Sequence, residues 1–137
     1  MSIIILMAMI FCHIVDDYYL QGCLAKFKQK QWWKDNVKNY EMYKYDYIIA
    51  LIMHGFSWSF MIHLPILLYV WSINGINNNF SCVYVLLVLY HTLFHALIDN
   101  EKANKLTINL VKDQLLHIFQ ILISWFVLFY LLLLIGG

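Results

Sequence analysis

The sequence has no arginine, one proline and no Cys-x-x-Cys pair, and charged residues make up only 12% of it. Each shortage excludes a class. A soluble domain of 137 residues must cover a large surface with polar groups, and soluble chains use about 25% charged residues to do so. A net charge of +1 leaves no basic face able to neutralise a run of phosphates, which excludes nucleic acid as a partner. The cysteines Cys12, Cys23 and Cys82 lack metal or redox spacing and read as packing residues. Cys12 and Cys23 are expected on one membrane helix, too far apart along it to bond. The patterns H-E-x-x-H and G-x-S-x-G are missing, as is any phosphate-cradling glycine-rich loop. No repeat or low-complexity linker divides the chain, so residues 1–137 are expected to form a single domain.

What the chain has in excess is apolar surface, at 63% hydrophobic and 18% aromatic residues. Four stretches, about 2–25, 47–73, 81–99 and 109–135, reach the ~20 residues that a bilayer crossing needs. The expected fold is therefore all-α, an integral membrane four-helix bundle. The first stretch is not a signal peptide, because it lacks a basic start and a cleavage site and is interrupted by Asp16 and Asp17. Pro65 predicts a kink in the second helix, not a break.

The connections differ in charge. The first carries Lys26, Lys28, Lys30, Lys34, Lys38 and Lys44, and the third Lys102 and Lys105, whereas 74–80 carries none. Lysine bias puts the first and third connections in the cytoplasm and both termini on the non-cytoplasmic face of the cell's inner (plasma) membrane. The first connection interleaves Trp32, Trp33 and tyrosines with its lysines and reads as a segment resting on anionic headgroups.

Within the spans the polar residues are patterned. His13, Asp17 and Gln21 recur every four residues, as do His91, His95 and Asp99. Four residues advance a helix by about 400°, so each set forms one ridge. Asp113, His117 and Gln120 share a face of the fourth helix, and His54 stands on the second. Counted from the cytoplasmic ends, these residues occupy one layer of the bilayer. Ionisable groups at that depth face the bundle interior and are functional by default. Carboxylates crowded there repel one another unless a cation joins them.

The expected metal ligands are His13, Asp17, His54, His91, His95, Asp99, Asp113 and His117. Zinc suits these donors best, with iron or manganese as the alternatives. Asp17 and Asp99 are the candidate catalytic carboxylates. Gln21 and Gln120 are expected to orient ligands. Asp16, about 100° off its ridge, is expected to pair with a ligand histidine. His63 lies nine positions past His54, about half a turn away, and is expected at the lipid interface or in packing.

This pattern points to a membrane-embedded metal-dependent hydrolase acting on a lipid-like or membrane-associated substrate from the cytoplasmic side. One alternative is a metal-ion or proton transporter or channel. Polarity in the far half is limited to His63, Ser57 and Ser59, which weighs against a path through a monomer, though a homo-oligomer would line a pore differently. The other alternative is a membrane effector of phage–bacterium conflict with a structural His/Asp cluster.

The strings around His13–Gln21, Met53-His54-Gly55, His95–Lys102 and Asp113-Gln114-Leu-Leu-His117 resemble a small bacterial and phage membrane protein family catalogued as a domain of unknown function. Its blocks are H-x3-D-x3-Q, H-x3-D-x2-K and D-Q-x2-H, and the resemblance covers nearly the whole chain. It adds Gln114 to the residues expected to orient ligands. Members often carry a second histidine one turn before His54, where this chain has Ala50. The resemblance implies no activity, so mechanism rests on the site.

Overall fold

The computed structural model describes residues 3–73 and 78–136, with side chains as far as residue 132. The uncharged connection falls largely outside the described residues, at 74–77. The fold is an all-α bundle, and among the described residues there is no strand. The chain runs through α1 (Ile3–Ile14), a π-helical continuation (Val15–Leu20), three short helices α2 (Leu24–Phe27), α3 (Lys30–Asn36) and α4 (Tyr40–Tyr43), then α5 (Asp46–Ile73) and α6 (Asn78–Asn100). A second π-helical continuation (Glu101–Lys105) leads to α7 (Leu110–Gly136). Four segments, Ile3–Leu20, Tyr40–Ile73, Asn78–Lys105 and Leu110–Leu132, are long and apolar enough to cross a membrane, with mean hydropathies of 1.8, 1.5, 1.8 and 2.2.

These helices carry large apolar residues on their outer faces as well as inside. Phe11, Phe56, Leu86, Leu93, Leu97, Phe119 and Phe126 are all exposed. Water would penalise such a surface, whereas hydrocarbon accepts it. Inside, α5 is the central element, packed on α1 and most extensively on α6, while α7 closes the bundle against α1 and α6. Gly55 sets the α5–α6 distance. A Cβ built there would lie 2.6 Å from the Thr92 backbone oxygen, a contact only glycine permits.

The first membrane helix is shorter than expected. It ends at Leu20 instead of near residue 25, because Gly22 (φ +48°) turns the chain. Cys23 therefore lies beyond the membrane helix and is exposed, as is Cys82; all three cysteines are free. Before the turn the helix widens, with the Gln21 amide donating to the Asp16 carbonyl at 3.1 Å, five residues back. Such π-helical turns cluster at functional sites. This one buries the adjacent Asp16 and Asp17 together. The second, after Asp99, carries Lys102 and closes on Leu106, whose φ of +55° lies in the left-handed region.

The basic connection folds as an aromatic platform. Phe27, Trp32 and Trp33 pack with ring centroids 4.8–5.4 Å apart, and Trp33 stacks on Tyr43. Asn104 ties it to the third connection, donating to the Lys28 carbonyl at 3.0 Å and accepting from the Lys30 amide at 2.7 Å.

Candidate metal centre

Inside the end of the bundle nearest these two basic connections, six side chains from all four long helices meet: Asp17, His54, His95, Asp99, Asp113 and His117. All six are buried. They form three overlapping triads, Asp17–His54–His95, His95–Asp99–His117 and Asp17–Asp113–His117. In each triad the candidate ligand atoms lie within 4.8 Å of one another. Ligands at ~2.0–2.2 Å from one ion stand at most ~4.4 Å apart, so modest side-chain adjustment closes any triad on a cation. Asp17, His95 and His117 each belong to two triads, so the six groups form one continuous polar cage. These buried His/Asp groups are able to hold a metal ion.

Hydrogen bonding within the cage is incomplete. His54 Nε2 approaches Asp17 Oδ1 at 3.2 Å and Asp99 Oδ2 at 3.5 Å, and His117 Nε2 approaches Asp113 Oδ1 at 3.4 Å and Asp99 Oδ1 at 3.6 Å. Among the described residues none of the four ring nitrogens of His95 and His117 has a hydrogen-bond partner, nor has Asp113 Oδ1. Buried polar atoms are rarely left so.

No family model, curated protein or solved structure matches this chain.

The cage is held by a surrounding set of polar contacts. Trp58 Nε1 donates to His13 Nδ1 at 2.8 Å. An indole nitrogen only donates, so His13 must carry its proton on Nε2, which donates to Gln114 Oε1 at 3.1 Å. The Gln114 amide nitrogen then donates to Asp17 Oδ2 and Asp113 Oδ2, both at 3.0 Å. Donor direction is thus set from Trp58 to the carboxylates. Both His13 nitrogens are occupied by these bonds, which takes His13 out of the expected ligand set and makes it an orienting residue. Trp58 also stacks on His95, with ring centroids 4.2 Å apart, and forms the floor of the cage.

Asp16 lies behind His54, its Oδ2 3.7 Å from His54 Nδ1, and its other oxygen accepts from the Ser57 hydroxyl at 2.6 Å. At 3.7 Å the two are not hydrogen-bonded, and neither Asp16 Oδ2 nor His54 Nδ1 has a partner among the described residues, while His54 Nε2 faces Asp17 and Asp99. Gln21 donates to the Asp17 backbone carbonyl, and its amide nitrogen lies 3.4 Å from Asp17 Oδ1. Gln120 is buried on α7, and neither amide atom has a partner among the described residues, so it orients no ligand.

His91 is not in the cage. Its Nε2 meets Ser124 Oγ at 2.7 Å, and Ser124 meets His63 Nε2 at 2.9 Å. His63 Nδ1 donates to the Ser59 carbonyl at 2.6 Å. His63 is fully buried, so the lipid-interface expectation fails for a geometric reason. α5 buries two neighbouring rows, 54, 58, 62, 66 and 70 and, beside it, 51, 55, 59 and 63, because α1 and α6 both pack on it. His63 belongs to the second row, so a position half a turn from His54 is still inside the bundle.

Two lysines reach the cage from the connections. Lys28 Nζ bonds Asp99 Oδ2 at 2.6 Å, and Lys102 Nζ bonds Asp113 Oδ2 at 2.5 Å. Lys28 was not legible as a site residue, because it is one of six lysines in a segment whose composition already suits the interface. Four buried carboxylates, Asp16, Asp17, Asp99 and Asp113, against these two ammonium groups leave a formal deficit equal to one divalent cation.

Proposed function

We propose that this chain is a membrane-embedded metal-dependent enzyme, a hydrolase of ester or phosphoester bonds, with zinc as the best-suited ion. The observation that carries the reading is the set of unpartnered, fully buried nitrogens on His95 and His117, flanked by three carboxylates. Of the histidines outside the cage, His13 and His63 have both nitrogens bonded and His91 has one, so among the described residues only His95 and His117 have neither. A Zn²⁺ bound by such donors lowers the pKa of a coordinated water to ~7. The resemblance to the phage and bacterial membrane family is consistent with this reading and adds no chemistry to it.

The chain's own residues divide the remaining work. His54, His95, His117 and Asp99 face the cage interior and would serve as the ligands. Asp17 also lines a cleft of about 420 Å³ together with Gln21 and Lys102, so it is the carboxylate best situated to take a proton from water. Asp99 lies behind Lys28 and does not line that cleft, which favours a ligand role over a basic one. In hydrolysis the water oxygen would bond to the acyl carbon or phosphorus as its proton passes to Asp17. The C–O or P–O bond to the alcohol would break, and that proton would pass on to the departing alkoxide. Lys102 beside the cleft stabilises negative charge on the substrate.

A transport reading has less support. Buried side chains beyond His63, among them Ile5, Ile66, Val70, Phe80, Tyr84 and Leu128, form an almost wholly apolar seal among the described residues.

Elemental analysis of detergent-purified protein, with melting curves with and without chelator, tests the proposal. Wild type should carry a stoichiometric divalent ion and melt several degrees lower once chelated, and Asp99→Asn should remain folded with a sharply lower metal content. Asn keeps the shape but loses the charge that attracts a cation. Metal-free wild type indifferent to chelator, with Asp99→Asn equally or more stable, would mean the cluster is structural.

A further inference from the structure

Two clefts on the outer face of the bundle share a wall made by Tyr18, Tyr19 and Gln114. One, about 420 Å³, is polar and reaches Asp17 and Lys102. The other, about 480 Å³, is lined by Ile10, Ile14 and Ile118 and lies between α1 and α7 within the hydrophobic span. Side by side, the two clefts make a groove along α1 and its π-helical continuation, from Ile10 to Gln21, over roughly 16 Å. It is apolar at one end and charged at the other.

We propose that this groove admits a net-anionic phospholipid, which enters sideways between α1 and α7 with its acyl chain along Ile10, Ile14 and Ile118 and its phosphate at Lys102. The inference rests on the metal-dependent reading and names its substrate class. Three observations support this occupant. The apolar cleft lies at a depth where a guest comes from the surrounding hydrocarbon, so a lipid tail needs no desolvation to fill it. Lys102 is the cationic residue of the polar cleft, and its side chain stays 35% exposed while bonded to Asp113. Lys28, at 12%, is committed to Asp99 instead. Asp17 belongs both to the polar cleft and to two of the ligand triads, so a phosphate held at Lys102 lies beside the cage.

The experiment uses the full chain in nanodiscs of phosphatidylcholine doped with phosphatidylglycerol. Native mass spectrometry reads the retained lipid, and elemental analysis of the same sample reads the metal. Wild type should keep one phosphatidylglycerol in preference to phosphatidylcholine. Ile14→Trp, which fills the apolar cleft, and Lys102→Gln, which removes the cation, should each weaken retention about tenfold or more. Metal content should be unchanged in Ile14→Trp. Retention unaffected by either variant, phosphatidylcholine held as firmly, or displacement of the lipid by soluble glycerol phosphate alone would overturn the lateral lipid site. Wild type that retains phosphatidylglycerol but purifies without metal would leave the groove standing and overturn the metal reading, so the two failures are distinct.

Discussion

Trp58 holds the cage by two separate means, a stacked ring and a single N–H. Phenylalanine would keep most of the first and lose the second. In Trp58→Phe the His13 Nδ1 acceptor is left buried and unpaired, which costs about 1–3 kcal/mol. The orientation of Gln114 toward Asp17 and Asp113 loses its support at the same time. Denaturant unfolding in detergent should register that loss, and the histidine NMR spectrum should show His13 sampling both tautomers. Unchanged stability and a single tautomer would mean that the indole bond carries nothing. At this scale the sequence was informative about residue type and poor about partnership. Intervals of four marked His13, Asp17, Gln21, His91, His95, Asp99, Asp113 and His117 as facing inward, and all of these except Gln21 are buried. They could not distinguish the saturated His13 from the unpartnered His95, because the deciding donor, Trp58, lies 45 positions from His13. Lys28 was hidden for the same reason, being 71 positions from Asp99.

Among the elements, the α5–α6 pair governs the site, because His54 and His95 stand on it with ring centroids 4.9 Å apart. Gly55 makes that spacing possible. Gly55→Ala forces a methyl against the Thr92 backbone oxygen, which has no flexible end to move aside, so the helices must separate. The expected cost is about 1–3 kcal/mol, with metal content falling in step as His54 is drawn away from His95. A variant with wild-type melting temperature and full metal occupancy would show that the contact is slack. Helix existence and composition were legible from hydropathy alone. The two π-helical turns were not, since neither period nor propensity marks them, and they decide how Asp16 and Lys102 are presented. The second buried row of α5 was also hidden, because periodicity alone does not show that a central helix is covered on more than one side.

For the whole molecule, the lysine distribution predicts which end faces the cytoplasm, and the native cysteines report on it. Cys23 lies in the exposed turn beside the basic connections and Cys82 is exposed in the first turns of α6, at the opposite end. In intact cells, a membrane-impermeant maleimide should label a Cys82-only variant and leave a Cys23-only variant unmodified until the membrane is breached. The reverse pattern would invert the topology. The packing of Asp16 and Asp17 has one more consequence, for how the chain enters the bilayer during synthesis. Acidic residues cost roughly 2.5–3.5 kcal/mol each near the centre of an inserted helix, and less toward its end. The groups that relieve this cost, Ser57, His54 and Gln114, belong to α5 and α7, which are translated later. The first segment is therefore a reluctant anchor until its successors arrive, and ribosome-bound nascent chains truncated before α5 should slide back toward the ribosome side, while those extended through α7 stay fixed.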